Sequence, residues 1–269
     1  MKLLGVVVVL FCALQINAQD STSRKGNLYL LWGYNRSAYL PSDIQFHGEN
    51  YDFTLYDVRA KDFPSQFDPK VYFGLFSFTI PQYNYRVGYF INDRISLSLG
   101  LDHMKYVLRG GQSVYLDGNF ENTGTEYEGH YDDVYVPLTP DLVTLNHTDG
   151  FNYASIELDY HKEVWRSKNE KHSCDLFGGM GFGLMIPRSD VRVLGERAAN
   201  EFHVAGEAIS AQSGFKMKFF NHIAINTTLK AGVSRLHDIL TTESRASASQ
   251  NIGWIQAFWQ VGYIGHLGK

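Results

Sequence analysis

Two short runs in this chain hold the residue types from which catalysis is built. One is Asn146-His147-Thr148-Asp149-Gly150, and the other is Asp102-His103 with Lys105 close behind. A histidine oriented by a carboxylate serves as a general base. Consecutive residues of an extended chain face opposite ways, so Asp102 cannot orient His103 if that segment is a strand, and Thr148 faces away from His147. The competing reading of the first run is a turn held by its Asn, Asp and Gly. A third region is chemically distinct. Residues 110–150 contain Asp117, Glu121, Glu126, Glu128, Asp132, Asp133, Asp141 and Asp149 and no Lys or Arg. Carboxylate oxygens suit calcium or another hard divalent cation, and Glu128, Asp132 and Asp133 are the densest group. The spacing is not that of an EF-hand, and a solvated acidic loop is the alternative.

Other signatures are missing. There is no G-x-S-x-G, H-E-x-x-H, C-x-x-C or P-loop pattern. Gly179-Met180-Gly181-Phe182-Gly183 lacks the spacing of a nucleotide loop and reads as glycine making room for bulky neighbours. Sequons begin at Asn35, Asn146 and Asn226, and two of these overlap expected strands. The net charge of −4 argues against a nucleic-acid partner.

The elements that position these residues are marked by alternation. From Phe151 to Trp165, one face carries Ala154, Ile156, Leu158 and Tyr160, while the other carries Ser155, Glu157, Asp159, His161 and Glu163. Leu97, Leu99 and Leu101 alternate with Ser96, Ser98, Gly100 and Asp102. Ile223, Ile225 and Leu229 alternate with Asn226, Thr228 and Lys230, and Ile255, Trp259 and Val261 with Gln256 and Gln260. Tyr83, Tyr85, Val87 and Tyr89 oppose Asn84, Arg86 and Gly88. Period two means strands, which are expected at roughly 27–39, 83–91, 94–109, 151–164, 173–187, 202–218, 222–236 and 252–267. The turns at Asn92-Asp93, 166–172 and 219–222 are short, and the loops 40–82, 110–150, 188–201 and 237–251 are longer, in strict alternation. Six of the seven prolines fall in the two longest loops and Pro187 at a strand end, as their missing N–H requires. Tyr51–Tyr56 and Val71–Ile80 also alternate, and could lengthen a hairpin or raise the strand count to ten.

Residues 1–18 have the form of a cleavable secretory signal: Lys2, an apolar run from Leu3 to Leu14, and small Ala18 before polar Gln19-Asp20. That run is too short for a membrane helix. Phe11 before Cys12 does not suit a lipoprotein signal. Beyond residue 18, Cys174 is the remaining cysteine, so no disulfide framework supports the exported chain. Aromatics reach 14%, with 17 Tyr and 18 Phe, and charged residues only 19%, against roughly 25% in ordinary globular chains.

Signal, alternation and loop lengths together resemble the small outer-membrane β-barrels of Gram-negative bacteria, over the whole of 19–269. Segments such as 80–86 and 101–106 look like those of uncharacterised barrels of this class. The resemblance implies an all-β fold: an antiparallel up-and-down transmembrane barrel of eight strands, with ten as the alternative, and long extracellular loops at about 40–82 and 110–150. One departure is the end, His266-Leu267-Gly268-Lys269, where such barrels commonly carry a terminal aromatic. The implied partners are outer-membrane lipids and lipopolysaccharide. Within this frame His103 is a rim histidine facing headgroups. Arg86, Glu157, Asp159, Glu163 and Lys230 face the lumen, where ion pairs are expected to fill an eight-stranded interior. The run at 146–150 is similar to the rim of outer-membrane lipid hydrolases, which keep a His and a Ser two residues apart. Here Asp149 stands at the serine's place. Three functions follow as expectations: a filled structural or interaction barrel, a lipid-modifying hydrolase, and a narrow solute channel.

Overall fold

A computed structural model describes residues 23–72, 81–197, 200–241 and 246–266. The expected signal, residues 73–80 of the strand-like Val71–Ile80 run and the last three residues lie outside that range. The strands in chain order are β1 (Asn27–Tyr39), β2 (Ser42–Gly48), β3 (Tyr51–Val58), β4 (Ala60–Lys61), β5 (Tyr83–Phe90), β6 (Ile95–Leu108), β7 (Ser113–Phe120) and β8 (Gly129–Pro137). They continue as β9 (Val143–Arg166), β10 (Ser173–Pro187), β11 (Asp190–Val193), β12 (Glu196–Arg197), β13 (Gly206–Phe219), β14 (Ile223–Leu240) and β15 (Ser247–His266). A single turn of helix, α1 (Pro69–Tyr72), lies between β4 and β5.

Eight of these close a ring in the order β1-β5-β6-β9-β10-β13-β14-β15, and β15 pairs back onto β1 from Asn27↔His266 to Tyr39↔Trp254. All neighbours in the ring are antiparallel. A closed ring leaves no edge, which is what lets strands cross a bilayer with every backbone group paired. The eight-stranded count holds among the described residues, and Tyr51–Tyr56 belongs to β3, outside the ring.

The exterior of the ring is apolar. Leu97, Leu99, Leu101, Ile156, Leu158, Met180, Phe182, Ile209, Leu229, Val233, Ile255 and Trp259 are exposed there, while their alternate neighbours Ser96, Ser98, Glu157, Asp159, Gln212, Thr228, Lys230 and Gln256 are buried. The register read from the sequence is therefore the observed one. The glycines of β10 make room: a Cβ on Gly179 would stand 2.1 Å from Asp159 Oδ1.

The two longest loops are not loops throughout. β15 exchanges its partner β1 for β2 above Gln250, and the sheet runs on as β2-β3-β7-β8. On the other side β9 begins at Val143, well before the expected residue 151, and pairs with β11. This upper part surrounds its own apolar core, which includes Ile44, Phe46, Phe53, Leu55, Tyr106, Leu116, Phe120, Leu145, Phe151 and Trp254. The period-two signal at Val143, Leu145 and His147 was present, but the run 146–150 resembles a turn and hid it. That run is a bulge, with Met104↔Phe151 followed directly by Tyr106↔His147 and with Gly150 at φ 143°.

Candidate functional site

The densest chemistry lies inside the ring. Arg86 on β5, Asp102 on β6, Glu157 on β9 and Lys230 on β14 point inward because each alternates with lipid-facing residues, and all four are buried. Arg86 donates from Nε to Glu157 Oε2 at 2.7 Å and from Nη2 to Asp102 Oδ2 at 2.9 Å. Lys230 Nζ donates to Glu157 Oε1 at 2.6 Å and to Asp102 Oδ2 at 2.9 Å. Ser155, Gln212 and Asn84 donate to the same two carboxylates. Two cations against two anions leave the layer neutral, which is the condition for burying charge at all. Gly100 leaves the network its room: a Cβ there would fall 2.8 Å from Glu157 Oε1 and 2.9 Å from Arg86 Cζ, so those side chains would have to shift.

Polar layers continue toward the end with the short turns, which the alternation of loop lengths predicts to be periplasmic, the opposite end being extracellular. Gln212 Nε2 donates to Asp159 at 2.7 Å. Lys216 Nζ sits 4.2 Å from the Tyr29 ring centroid and 5.5 Å from those of Phe90 and Phe177, so three ring faces take the place of water around it. At the mouth Arg24 clamps Asp175 through both nitrogens, at 2.7 and 2.8 Å, and reaches Glu163 at 3.3 Å. A lumen cavity of about 10 Å³ among Tyr29, Arg86, Glu157, Asp159 and Lys216 has room for about one water.

Toward the extracellular end Tyr153 and Trp254 close the ion layer. Their rings meet edge to face at 5.6 Å, and Trp254 Nε1 donates to Ser234 Oγ at 2.8 Å. Above them the apolar core begins. The five lumen residues named from sequence thus all face inward, with Glu163 at the periplasmic rim. Asp102, Gln212, Lys216 and Arg24 complete the set. Asp102 was visible in the alternation of β6. Arg24 precedes the first strand, and nothing in its spacing marked it.

The histidines take other places. His147 is fully buried in the extracellular core, stacked on Phe151 at 5.5 Å and beside Tyr106 at 5.6 Å. Its Nδ1 lies 3.0 Å from Ser189 Oγ, a partner 42 residues away that no local motif could reveal. Burial pushes the imidazole down to about 3. The bulge at 148–150 carries Asp149 out of reach, and its carboxylate faces Arg188 at 3.6 Å. His147 and Asp149 are therefore not one site. His103 does face outward, opposite to Asp102, yet it is covered: its ring stacks on Tyr83 at 4.9 Å, and Nδ1 lies 2.7 Å from Asn152 Oδ1.

Of the acidic residues, Glu128 spends its oxygens on the backbone N–H groups of Asn122 and Gly124, both at 3.1 Å. Asp132 and Asp133 form an exposed bulge opposite Asp117, with Asp133 at φ 52°. Among the described residues no group of three or more acidic, His or Cys side chains converges as a cation site. A groove of about 250 Å³ opens on the extracellular half between Val107–Gly111 and Leu138–Asn146.

No protein-family model matches the chain, and no curated protein matches it in sequence. Solved structures of similar fold are outer-membrane β-barrels. Ail, the attachment invasion locus protein of Yersinia pestis, is 12% identical with a TM-score of 0.37, over 89% of this chain and 99% of that one. The outer-membrane protein AlkL, solved in lipid bilayers, is 9% identical with a TM-score of 0.45, over 94% and 96%. OprG of Pseudomonas aeruginosa is 10% identical with a TM-score of 0.41, over 90% and 97%. The conclusion rests on the chain's own construction: a closed antiparallel ring, apolar outside and polar within, is an integral outer-membrane β-barrel.

Proposed function

We propose that this barrel does not conduct and works through the β-sheet domain that it holds above the outer leaflet. The observation that carries the reading is double closure. A neutral ion layer fills the ring at Arg86, Asp102, Glu157 and Lys230, and an apolar core seals the end above it. An ion on this path would have to displace paired charges and then cross a dry core. The residues that remain available are on the outer faces of β2, β3, β7 and β8, and lipopolysaccharide and surface partners are the ligands in reach. Reconstitution into planar bilayers tests this. Silent membranes are expected, and stable unitary currents from the folded protein would overturn the reading.

Among the described residues, the pairing of His147 with Ser189 is the feature that favours a hydrolase. Both are enclosed, at 0% and 5% exposure, so no lipid ester meets either. His147→Ala is expected to leave envelope lipids unchanged, and acyl release that this substitution abolishes would reinstate catalysis.

A further inference from the structure

The wall of the ring carries an addition on its lipid side. β5 ends at Tyr83, whereas its neighbours β1 and β6 continue to Tyr39 and Leu108. The segment from Asp62 to Tyr72 fills the place beside them. Asp62 accepts from Ser37 N at 3.2 Å and from Gln82 Nε2 at 2.7 Å, which occupies a β1 donor that β5 does not reach. From there the chain passes over the outer face. Tyr72 packs on Tyr34 with ring centroids 4.9 Å apart, and Tyr34 and Tyr83 are outward-facing partners across β1 and β5.

The height of this contact follows from register. Tyr34 is opposite Trp259 and its ring lies 6.0 Å from that indole. Trp259 is an exposed member of the apolar belt, and Ile255, four residues nearer the extracellular end of the same face, is exposed too. Tyr72 therefore rests on the wall below the upper limit of the belt. Such a position is forbidden to irregular backbone facing lipid unless its polar groups are satisfied internally. Part of that requirement is met within the segment: Val71 N and Tyr72 N donate to Asp68 O, Lys70 N donates to Asp68 Oδ1, and Phe63 N to Asp62 Oδ1. The Ser65 carbonyl accepts from the Tyr72 hydroxyl at 2.8 Å, and the Tyr72 carbonyl accepts from the Tyr34 hydroxyl. Pro64 and Pro69 bring no N–H to satisfy. Phe63 and Phe67 stay 51% and 71% exposed, even with the Phe67 ring 5.2 Å from that of Tyr72.

We infer that residues 62–72 are a membrane-interface strap, with Phe63 and Phe67 seated in the outer-leaflet lipid and Lys70 reaching back to the headgroups. The inference rests on the membrane-barrel reading. Its occupant is lipid because the strap lies against the belt that already meets lipid and turns two phenyl rings outward beside it.

Nitroxide collision measurements in phospholipid vesicles test it. Single cysteines are placed by Phe67→Cys, Phe63→Cys, Leu99→Cys and Asn122→Cys in a Cys12→Ser, Cys174→Ser background. All four side chains are exposed, and the heat-modifiable gel shift of each labelled variant reports that the ring has folded. Oxygen, which partitions into lipid, is expected to dominate over a water-soluble nickel chelate at 67 and 63 as it does at 99, with the reverse at 122. Nickel dominance at 67 and 63 with oxygen dominance at 99 would overturn the strap and leave the barrel standing. Nickel dominance at 99 as well would overturn the barrel reading and the strap with it.

Discussion

The membrane half of the ring and the extracellular half are inverted relative to each other. Below Tyr153 the inward side chains are Ser155, Glu157, Asp159 and His161, and the outward ones Ile156, Leu158 and Tyr160. Above it, on the same strand and the same inward face, come Phe151, His147, Leu145 and Val143, and the outward residues are Asn152, Asn146 and Thr144. The bulge at 148–150 shifts the register here and β11 takes over from β10 as partner, yet the strand resumes with the same face turned inward. What differs is the medium outside. In hydrocarbon the apolar face earns nothing by turning inward, so the interior can hold a polar network. In water the hydrophobic effect returns and the apolar face must be inside.

That contrast is broken most severely by unpairing the ion layer. Lys230→Met leaves Asp102 and Glu157, two buried carboxylates, with Arg86 alone. A loss of about 3–5 kcal/mol is expected, read as a lower urea midpoint in vesicles. Phe53→Ala deletes a fully buried ring from the extracellular core, a change of about 3–5 kcal/mol, but the damage should stay local. Protease should reach residues 110–137 while the heat-modifiable gel shift of the ring survives. If Phe53→Ala unfolds the ring as well, the halves are one cooperative unit.

The exteriors differ in the same sense. Leu99→Arg puts a cation in the belt, at roughly 2–4 kcal/mol near the bilayer centre. Gln45→Arg, on the outer face of β2, is a surface change and should stay within about 0.5 kcal/mol. Equal tolerance in a folding assay would mean that the belt does not meet lipid.

How much of this was readable beforehand follows from what alternation encodes. Period two says which residues share a face, so the lumen set Arg86, Glu157, Asp159 and Lys230 and the lipid set Leu99, Ile156 and Leu229 were legible, together with the eight-stranded ring. It does not say which medium each face meets. β2, β7 and β8 therefore passed as loop, although Tyr51–Tyr56 was legible as a strand that lengthens a hairpin, as β3 does with β2, and His147 was placed at the rim when it lies in a core. Pairings such as Ser189 with His147, or Arg24 with Asp175, join residues distant in the chain. They are set by tertiary closure and leave no local trace.

A smaller effect separates the halves by pH. His147 is held neutral in the extracellular core, down to about 3 against an ordinary 6.5. Below about pH 6.5 the unfolded segment takes a proton that the folded one refuses, so stability is full above that pH and falls progressively toward about pH 3. At about pH 4.5 the loss is at most about 3 kcal/mol. Amide protection factors in β7 and β9 above Phe151, taken relative to the intrinsic exchange rate at each pH, should fall with acid, and His147→Gln should flatten the dependence. Protection factors unchanged from pH 7 to pH 4 would show that the core admits the charged ring.

The smallest effect is expected at the acidic strand β8. Divalent cations could bridge Asp132 and Asp133 to outer-leaflet phosphates, since both offer hard oxygens. Geometry weakens that expectation: Glu128 is committed to its own turn, and the two aspartates sit in an exposed bulge where attraction is screened within about 8 Å at physiological salt. Calcium should then act as a diffuse counterion, slowing proteolysis of 110–137 in lipopolysaccharide-containing membranes by less than about twofold. The Asp132→Asn, Asp133→Asn double variant should respond nearly as the parent does. Strong protection by calcium that chelation reverses and the double variant lacks would instead make β8 a cation site, and would give the extracellular half a ligand that its apolar core does not supply.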